Sequence, residues 1–174
     1  GINFGKIQAS FEQESRHLNP NSRDIFSDLM TYEGRIAVIY FEQLSKIING
    51  IAPEFGFDVR KNKAMSRNYN ASDEVNALFN YGYAILESEI RKSVNAVGLD
   101  GSIGFLHEIT PSRTPLIYDF QELFRWIIDL SVIQLLEEKR LKKSDFIITE
   151  SYHMRLRENT SKLLIEKISA NFNH

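Results

Sequence analysis

Apolar residues recur every three or four positions through most of this chain, which is the period of an α-helix. Ile2, Phe4, Ile7 and Phe11 open the pattern. Asn19-Pro20-Asn21-Ser22 reads as a turn, with Ser22 as N-cap of a helix beginning near Arg23. A long, deeply buried helix follows, running through Phe26, Leu29, Met30, Ile36, Tyr40, Phe41, Leu44 and Ile48, and Asn49-Gly50 is expected to end it. Residues 52–72 read as a loop. Ser72-Asp73-Glu74 starts a third helix, apolar nearly all round through Val75, Leu78, Phe79, Tyr83, Leu86, Ile90 and Val94, which predicts a central position in a bundle. Gly98 closes it. A loop with Pro111 and Pro115 leads to another apolar helix from Tyr118 to Leu136. Residues 145–150 fit either a short strand or a helical turn, and a last helix spans about Tyr152 to Phe172 with Leu156, Leu163, Leu164 and Ile168 inside. Alternating strand patterns are scarce, so the expected class is all-α, a multi-helix bundle.

Composition narrows the chemistry. The 174 residues are 43% hydrophobic and 25% charged, within the range of an ordinary globular domain. Cysteine is absent, which excludes disulfides, thiolate zinc sites and cysteine nucleophiles. The net charge of −2 argues against a general polyanion binder and leaves room for a local basic stripe. One such stripe is the stretch from Arg60 to Asn70, with Arg67 and Tyr69, a composition suited to phosphate contact and base stacking and equally to a solvated loop. No apolar run of 18 residues and no signal-peptide pattern is present, which gives the expectation of a cytoplasmic protein without a membrane span. P-loop, Gly-x-Gly-x-x-Gly and Gly-x-Ser-x-Gly motifs are missing.

Polar residues that fall on apolar faces carry the candidate chemistry. Glu33 lies between Met30 and Ala37 on the apolar side of its helix, where a carboxylate needs a partner, a metal or a proton. His107 follows Gly104-Phe-Leu. Asp119 and Glu122, three apart, share one helix face. Two or three carboxylates and one imidazole suit a hard divalent cation, with the imidazole shifting preference toward Mn²⁺ over Mg²⁺. The same residue types fit a satisfied core histidine, a buried ion pair and a solvated helix face. Glu150-Ser-Tyr-His153 is a Glu-x-x-His step of the di-iron kind, but that architecture needs two such steps and two further glutamates facing one another in a bundle.

Four ordered motifs resolve the ambiguity. Glu33-Gly-Arg-Ile-Ala with Tyr40-Phe41, then Asp73 to Tyr83, then Gly98-Leu-Asp with Gly104-Phe-Leu-His-Glu108, then Tyr118-Asp-Phe-Gln-Glu-Leu-Phe-Arg125 together resemble the helical C-terminal domain of the CRISPR-associated integrase of spacer acquisition, Cas-one. The resemblance covers almost the whole chain as a single helical catalytic domain, 1–174. The family's N-terminal β-sandwich has no counterpart in it, and the start without methionine gives the expectation of a longer parent chain. Glu33, His107, Asp119 and Glu122 are implied to be catalytic, with Glu33, His107 and Glu122 holding Mn²⁺ or Mg²⁺ and Asp119 tuning the site. Arg125 is implied to face incoming phosphate, and Arg67, Arg155 and Arg157 to lie near DNA, the last two on the final helix. The chain departs from the family at Leu123, where proline is frequent, and at Arg35, where alanine is frequent; neither is a ligand position. The implied reaction is attack by the 3′-hydroxyl of a short foreign DNA on a phosphodiester of the CRISPR repeat, with nicking as a related outcome. The implied partners are prespacer or branched DNA, a second copy in a homodimer, and the protein Cas-two. A casposon-type transposase shares the domain and the motif. A helical adaptor with a structural carboxylate cluster is the non-enzymatic alternative.

Overall fold

The computed structural model describes residues 4–16, 19, 24–58, 71, 73–106, 114–150 and 153–172. Five α-helices carry the fold: α1 (Phe4–Ser15), α2 (Ile25–Ile51), α3 (Glu74–Ala96), α4 (Pro115–Glu137) and α5 (Glu158–Phe172). A two-stranded antiparallel hairpin, β1 (Phe146–Ile148) and β2 (Met154–Leu156), sits before α5. The all-α expectation therefore holds, with the hairpin as an addition. Among the described residues no helix is long and apolar enough to cross a membrane.

Helix α3 is the centre, as its apolar circumference predicts. It packs against α4, α5 and β2. Val75, Leu78, Phe79, Leu86, Ile90 and Val94 form its buried line. The Asp73 carboxylate caps its start by accepting the Asn76 N–H at 2.8 Å. At the other end Gly98 adopts φ +75°, its N–H donates to the Asn95 carbonyl, and the Leu99 N–H donates to Val94. These paired bonds satisfy carbonyls that the helix end would leave open, and the left-handed turn they need favours glycine.

Close approach sets the contact between α3 and α4. A Cβ at Gly82 would stand 2.4 Å from Cγ2 of Ile128, itself fully buried. Helix α4 presents Ile117, Ile128, Val132, Leu135 and Leu136 to the core. Leu164 and Ile168 of α5 close the same cluster. Asn171 of α5 donates to the Ser131 hydroxyl and to Gln134 on α4, at 2.9 and 3.0 Å.

Helix α2 departs from expectation. Only its C-terminal half is buried, through Leu44 and Ile48, while Phe26 and Val38 are more than half exposed. Asp24, not Ser22, caps it by accepting the Ser27 N–H at 3.1 Å; Ser22 lies outside the described residues. The helix also runs through Gly50 to Ile51. Pro53 is the terminator: Ala52 must leave the helical region before it, and does so at φ −139°, ψ 61°. The short 3₁₀ turn Pro53–Phe55 then folds back, and the Phe57 carbonyl accepts from the Ser45 hydroxyl at 2.8 Å and from the Asn49 side chain. The basic stretch with Arg67 lies outside the described residues.

The last helix is shorter than its period suggests. Leu156 continues the apolar spacing of α5 backwards, but residues 154–156 pair with β1, Phe146 opposite Leu156 and Ile148 opposite Met154. The Met154 N–H also donates to the Ala71 carbonyl at 3.1 Å. Backbone partners on both sides thus outweigh the local helical preference. Arg155 is consequently on a strand and Arg157 just before α5, not on it. His153 falls in the hairpin connection, so Glu150 and His153 do not form a helical step, which removes the di-iron geometry.

Gly82→Ala is expected to lower stability by about 1–2 kcal/mol, because overpacking against a β-branched, buried neighbour outweighs the helix propensity gained. Urea denaturation of the two proteins measures it.

Candidate active site

The site is built on the first three turns of α4. Pro115 occupies the first helical turn, where its missing N–H costs nothing. The entry is tied down from two sides: the Leu116 N–H donates to the Gly101 carbonyl at 3.2 Å, and Arg91 of α3 donates to the Thr114 hydroxyl at 3.1 Å. The incoming loop is shaped by Asp100, whose carboxylate accepts from the Ser102 N–H and hydroxyl, holding its pKa below the usual value.

Asp119 is the first functional group on α4. It is 3% exposed. Its Oδ2 accepts the backbone N–H of Phe105 at 2.6 Å and of Leu106 at 3.1 Å. These are the two residues immediately before His107. The buried carboxylate therefore joins the Gly-Phe-Leu-His segment to the Tyr-Asp-Phe-Gln-Glu helix. Phe105 also meets Phe120 edge-on at 6.4 Å. His107 itself lies outside the described residues.

Glu122 stands one turn further, partly exposed, and Nη1 of Arg125 donates to its Oε2 at 2.6 Å. The Arg125 guanidinium lies over the rings of Phe41 at 5.4 Å and Tyr83 at 5.1 Å. Burial disfavours its charge, but Tyr83 and Glu122 outweigh that and raise its pKa, so it is a permanent cation. Asp129, two turns beyond Glu122, is 2% exposed and accepts the hydroxyls of Tyr40 from α2 and Tyr83 from α3. Burial first, and then the Asp129 charge, push the Tyr40 pKa up, so that phenol stays protonated as the donor.

Glu33 is half-buried on α2. It precedes Tyr40 by seven residues, so the two share a helix face within about 20°. Tyr40 reaches α4, which puts Glu33 on the side of α2 turned toward α4. Among the described residues, a set without His107, no three His, Cys, Asp or Glu side chains are placed to share a metal ion. Arg155 is exposed on β2, opposite Ile147. Arg157 spends its Nε on the Ser144 carbonyl at 2.8 Å and its N–H on Asp145. The structure thus brings Asp119, Glu122 and Arg125 together with the segment leading to His107. It sets Arg155 and Arg157 at the hairpin.

Tyr40, Tyr83 and Asp129 escape a reading from sequence. One signal was available: Asp129 follows Trp126-Ile-Ile in an apolar run, the same anomaly that marks Glu33.

Asp119→Ala is expected to cost about 2 kcal/mol, since two N–H groups lose a charged acceptor. The Phe105 and Leu106 amides should lose hydrogen-exchange protection selectively, while α3 amides keep theirs.

Comparison with known proteins adds the family context. The family model for CRISPR associated protein Cas1 matches residues 5–170. A CRISPR-associated endonuclease Cas1 of Archaeoglobus fulgidus is 33% identical over 143 residues, 80% of this chain and 40% of that protein. The chain therefore spans less than half the length of that relative. A structure described as a casposase bound to integration product superposes with a TM-score of 0.77 at 34% identity, over 98% of this chain and 52% of the other. A partial Cas6-RT-Cas1–Cas2 complex shares the fold at a TM-score of 0.71 and 18% identity, over 95% of this chain and 55% of the other.

Proposed function

Because the chain belongs to the CRISPR-associated Cas1 family, we propose that it is the helical catalytic part of a metal-dependent DNA endonuclease and integrase of CRISPR adaptation. The observation that carries this reading is the Asp119 clamp. It ties Phe105 and Leu106, the residues before His107, to α4 one turn from Glu122, which supports a site shared by these two neighbouring motifs.

Glu33, His107 and Glu122 are the residues that would hold a divalent cation, Mn²⁺ or Mg²⁺. Two carboxylates and one imidazole are a fitting donor set. When bound, the cation supplies charge neutralisation at the reacting phosphate and activation of the attacking oxygen. The chain's own residues do the rest. Asp119 keeps the His107 segment in place through its backbone. Arg125 brings a permanent positive charge within one turn of Glu122; a guanidinium has five N–H donors, so pairing with Glu122 leaves capacity for a phosphate oxygen. Arg67, Arg155 and Arg157 would meet the DNA backbone, which fixes position and not sequence. The reaction is an exchange of phosphodiesters: the 3′-oxygen of the short foreign DNA bonds to phosphorus in the CRISPR repeat, and the repeat's own 3′-oxygen leaves with the proton balance restored by solvent. Attack by water in place of the 3′-hydroxyl gives nicking. The partners in this reading are branched or prespacer DNA, a second copy of the chain, and Cas2.

A casposon-type transposase is the second reading, favoured by the 34% identity to a casposase over nearly the whole chain. The chemistry is the same and the target DNA differs.

Titration with Mn²⁺ tests the metal site. The protein should bind Mn²⁺, and Glu33→Ala or His107→Ala should each weaken binding more than about tenfold. Both variants should also abolish joining of a 3′-hydroxyl end to a labelled duplex. A CRISPR repeat and a casposon target, offered in parallel, separate the two readings by which one is joined. Joining unaffected by His107→Ala sinks both, and a protein that neither binds Mn²⁺ nor joins DNA is the adaptor.

A further inference from the structure

One buried polar cluster is not used by the reading above: Asp129 with Tyr40 and Tyr83. A carboxylate in the middle of an apolar run is costly, and such clusters are frequently replaceable by apolar side chains with no loss of stability. A role other than stability follows from what the two phenols hold. The Tyr83 ring is held by its hydroxyl on Asp129 and by stacking on Phe79 at 5.9 Å, and the residue's backbone carbonyl accepts from the Gln121 side chain at 2.8 Å. Tyr40 meets Phe41 edge-on at 5.3 Å. Tyr83 and Phe41 are the two rings against which the Arg125 guanidinium lies, and Arg125 in turn holds Oε2 of Glu122. Asp129 thus anchors the slot, the slot orients Arg125, and Arg125 orients Glu122.

We propose that Asp129, Tyr40 and Tyr83 are positioning residues: a three-helix clamp that presets Arg125, and through it Glu122, for phosphoryl transfer. The inference rests on the function proposed above. Glu122 is partly exposed on a helix surface, where an untethered side chain samples several rotamers. Arg125 is flexible as well, but its planar head is ordered by two rings, and a planar fork keeps a carboxylate in register where an ammonium would not. Three helices contribute, so the clamp also couples the Glu33 helix to the Glu122 helix. Tyr40 lies two turns from Glu33, and Asp129 two turns from Glu122.

The test has two arms. The first uses the protein without metal or DNA. The Arg125 side-chain Nε–H resonance should be ring-current shifted in the wild type and move toward the free-arginine position in Asp129→Asn and Tyr83→Leu. Ser131→Ala, which removes another buried hydroxyl of α4, should leave it unchanged. The second arm measures Mn²⁺-dependent joining of DNA at a temperature where every variant is folded. Asp129→Asn and Tyr83→Phe should lower kcat about 10–100-fold, as loss of an orienting partner does, with KM for DNA changed less. Arg125→Lys should match them, and Ser131→Ala should keep the wild-type kcat. An Arg125 resonance indifferent to Asp129 overturns the clamp. A normal kcat in variants whose resonance has moved makes the cluster structural only, which also overturns it. A wild type inactive on every DNA, with an intact Arg125 signal, overturns the proposed function first and this inference with it.

Discussion

A buried carboxylate has to be met by donors, and the site half of this molecule depends on how Asp119 meets that demand. Two of its donors are the backbone N–H groups of Phe105 and Leu106. Backbone donors cannot be moved by rotamer changes. The bonds therefore fix where the chain is at Phe105 and Leu106. The same loop is stiffened from behind by Asp100 and by the glycine turn at Gly98, so the order comes from several short-range devices feeding one long-range bond.

Helix α4 carries three acids on one side, Asp119, Glu122 and Asp129. Like charges three or four residues apart repel along a helix. The structure separates them by giving each a different class of donor: backbone N–H, guanidinium and phenol. Glu122, the most exposed of the three, has the partner that is easiest to exchange. Asp119 and Asp129, nearly inaccessible, have partners that are hard to remove. Burial thus divides these three carboxylates into two that hold the scaffold and one that is open to solvent.

The helical class, the central place of α3 and its start near Asp73 were legible because each is a local signal. The exposed half of α2 was not, because a run of apolar residues says which side is greasy and not whether anything covers it; Phe26 and Met30 obey the helical period and still face outward. The hairpin was legible only in part: residues 145–150 fitted a strand as well as a helical turn, and the second strand escaped for a similar reason. Leu156 fits the period of α5, and only the pairing of β2 with β1 and with Ala71, contacts between distant residues, decides against the helix. Of the candidate site, the residue types on α4 were readable from spacing. The choice of partner was not: nothing in the Asp119-x-x-Glu122 spacing tells a backbone clamp from a ligand.

That difference bears on how carboxylates are assigned in sites of this kind. Proximity in sequence to a ligand position makes Asp119 look like a member of the donor set. Its geometry adds a scaffold duty, because Oδ2 accepts two N–H groups at 2.6 and 3.1 Å. Glu122 is the opposite case, held by one long, charged side chain that stays charged whether or not it is paired. In the proposed function a cation at Glu122 would share the carboxylate with Arg125, which holds Oε2. On this view Arg125 is an orienting partner of Glu122 as well as a phosphate contact, and the two rings that flank it keep it close enough to serve as both.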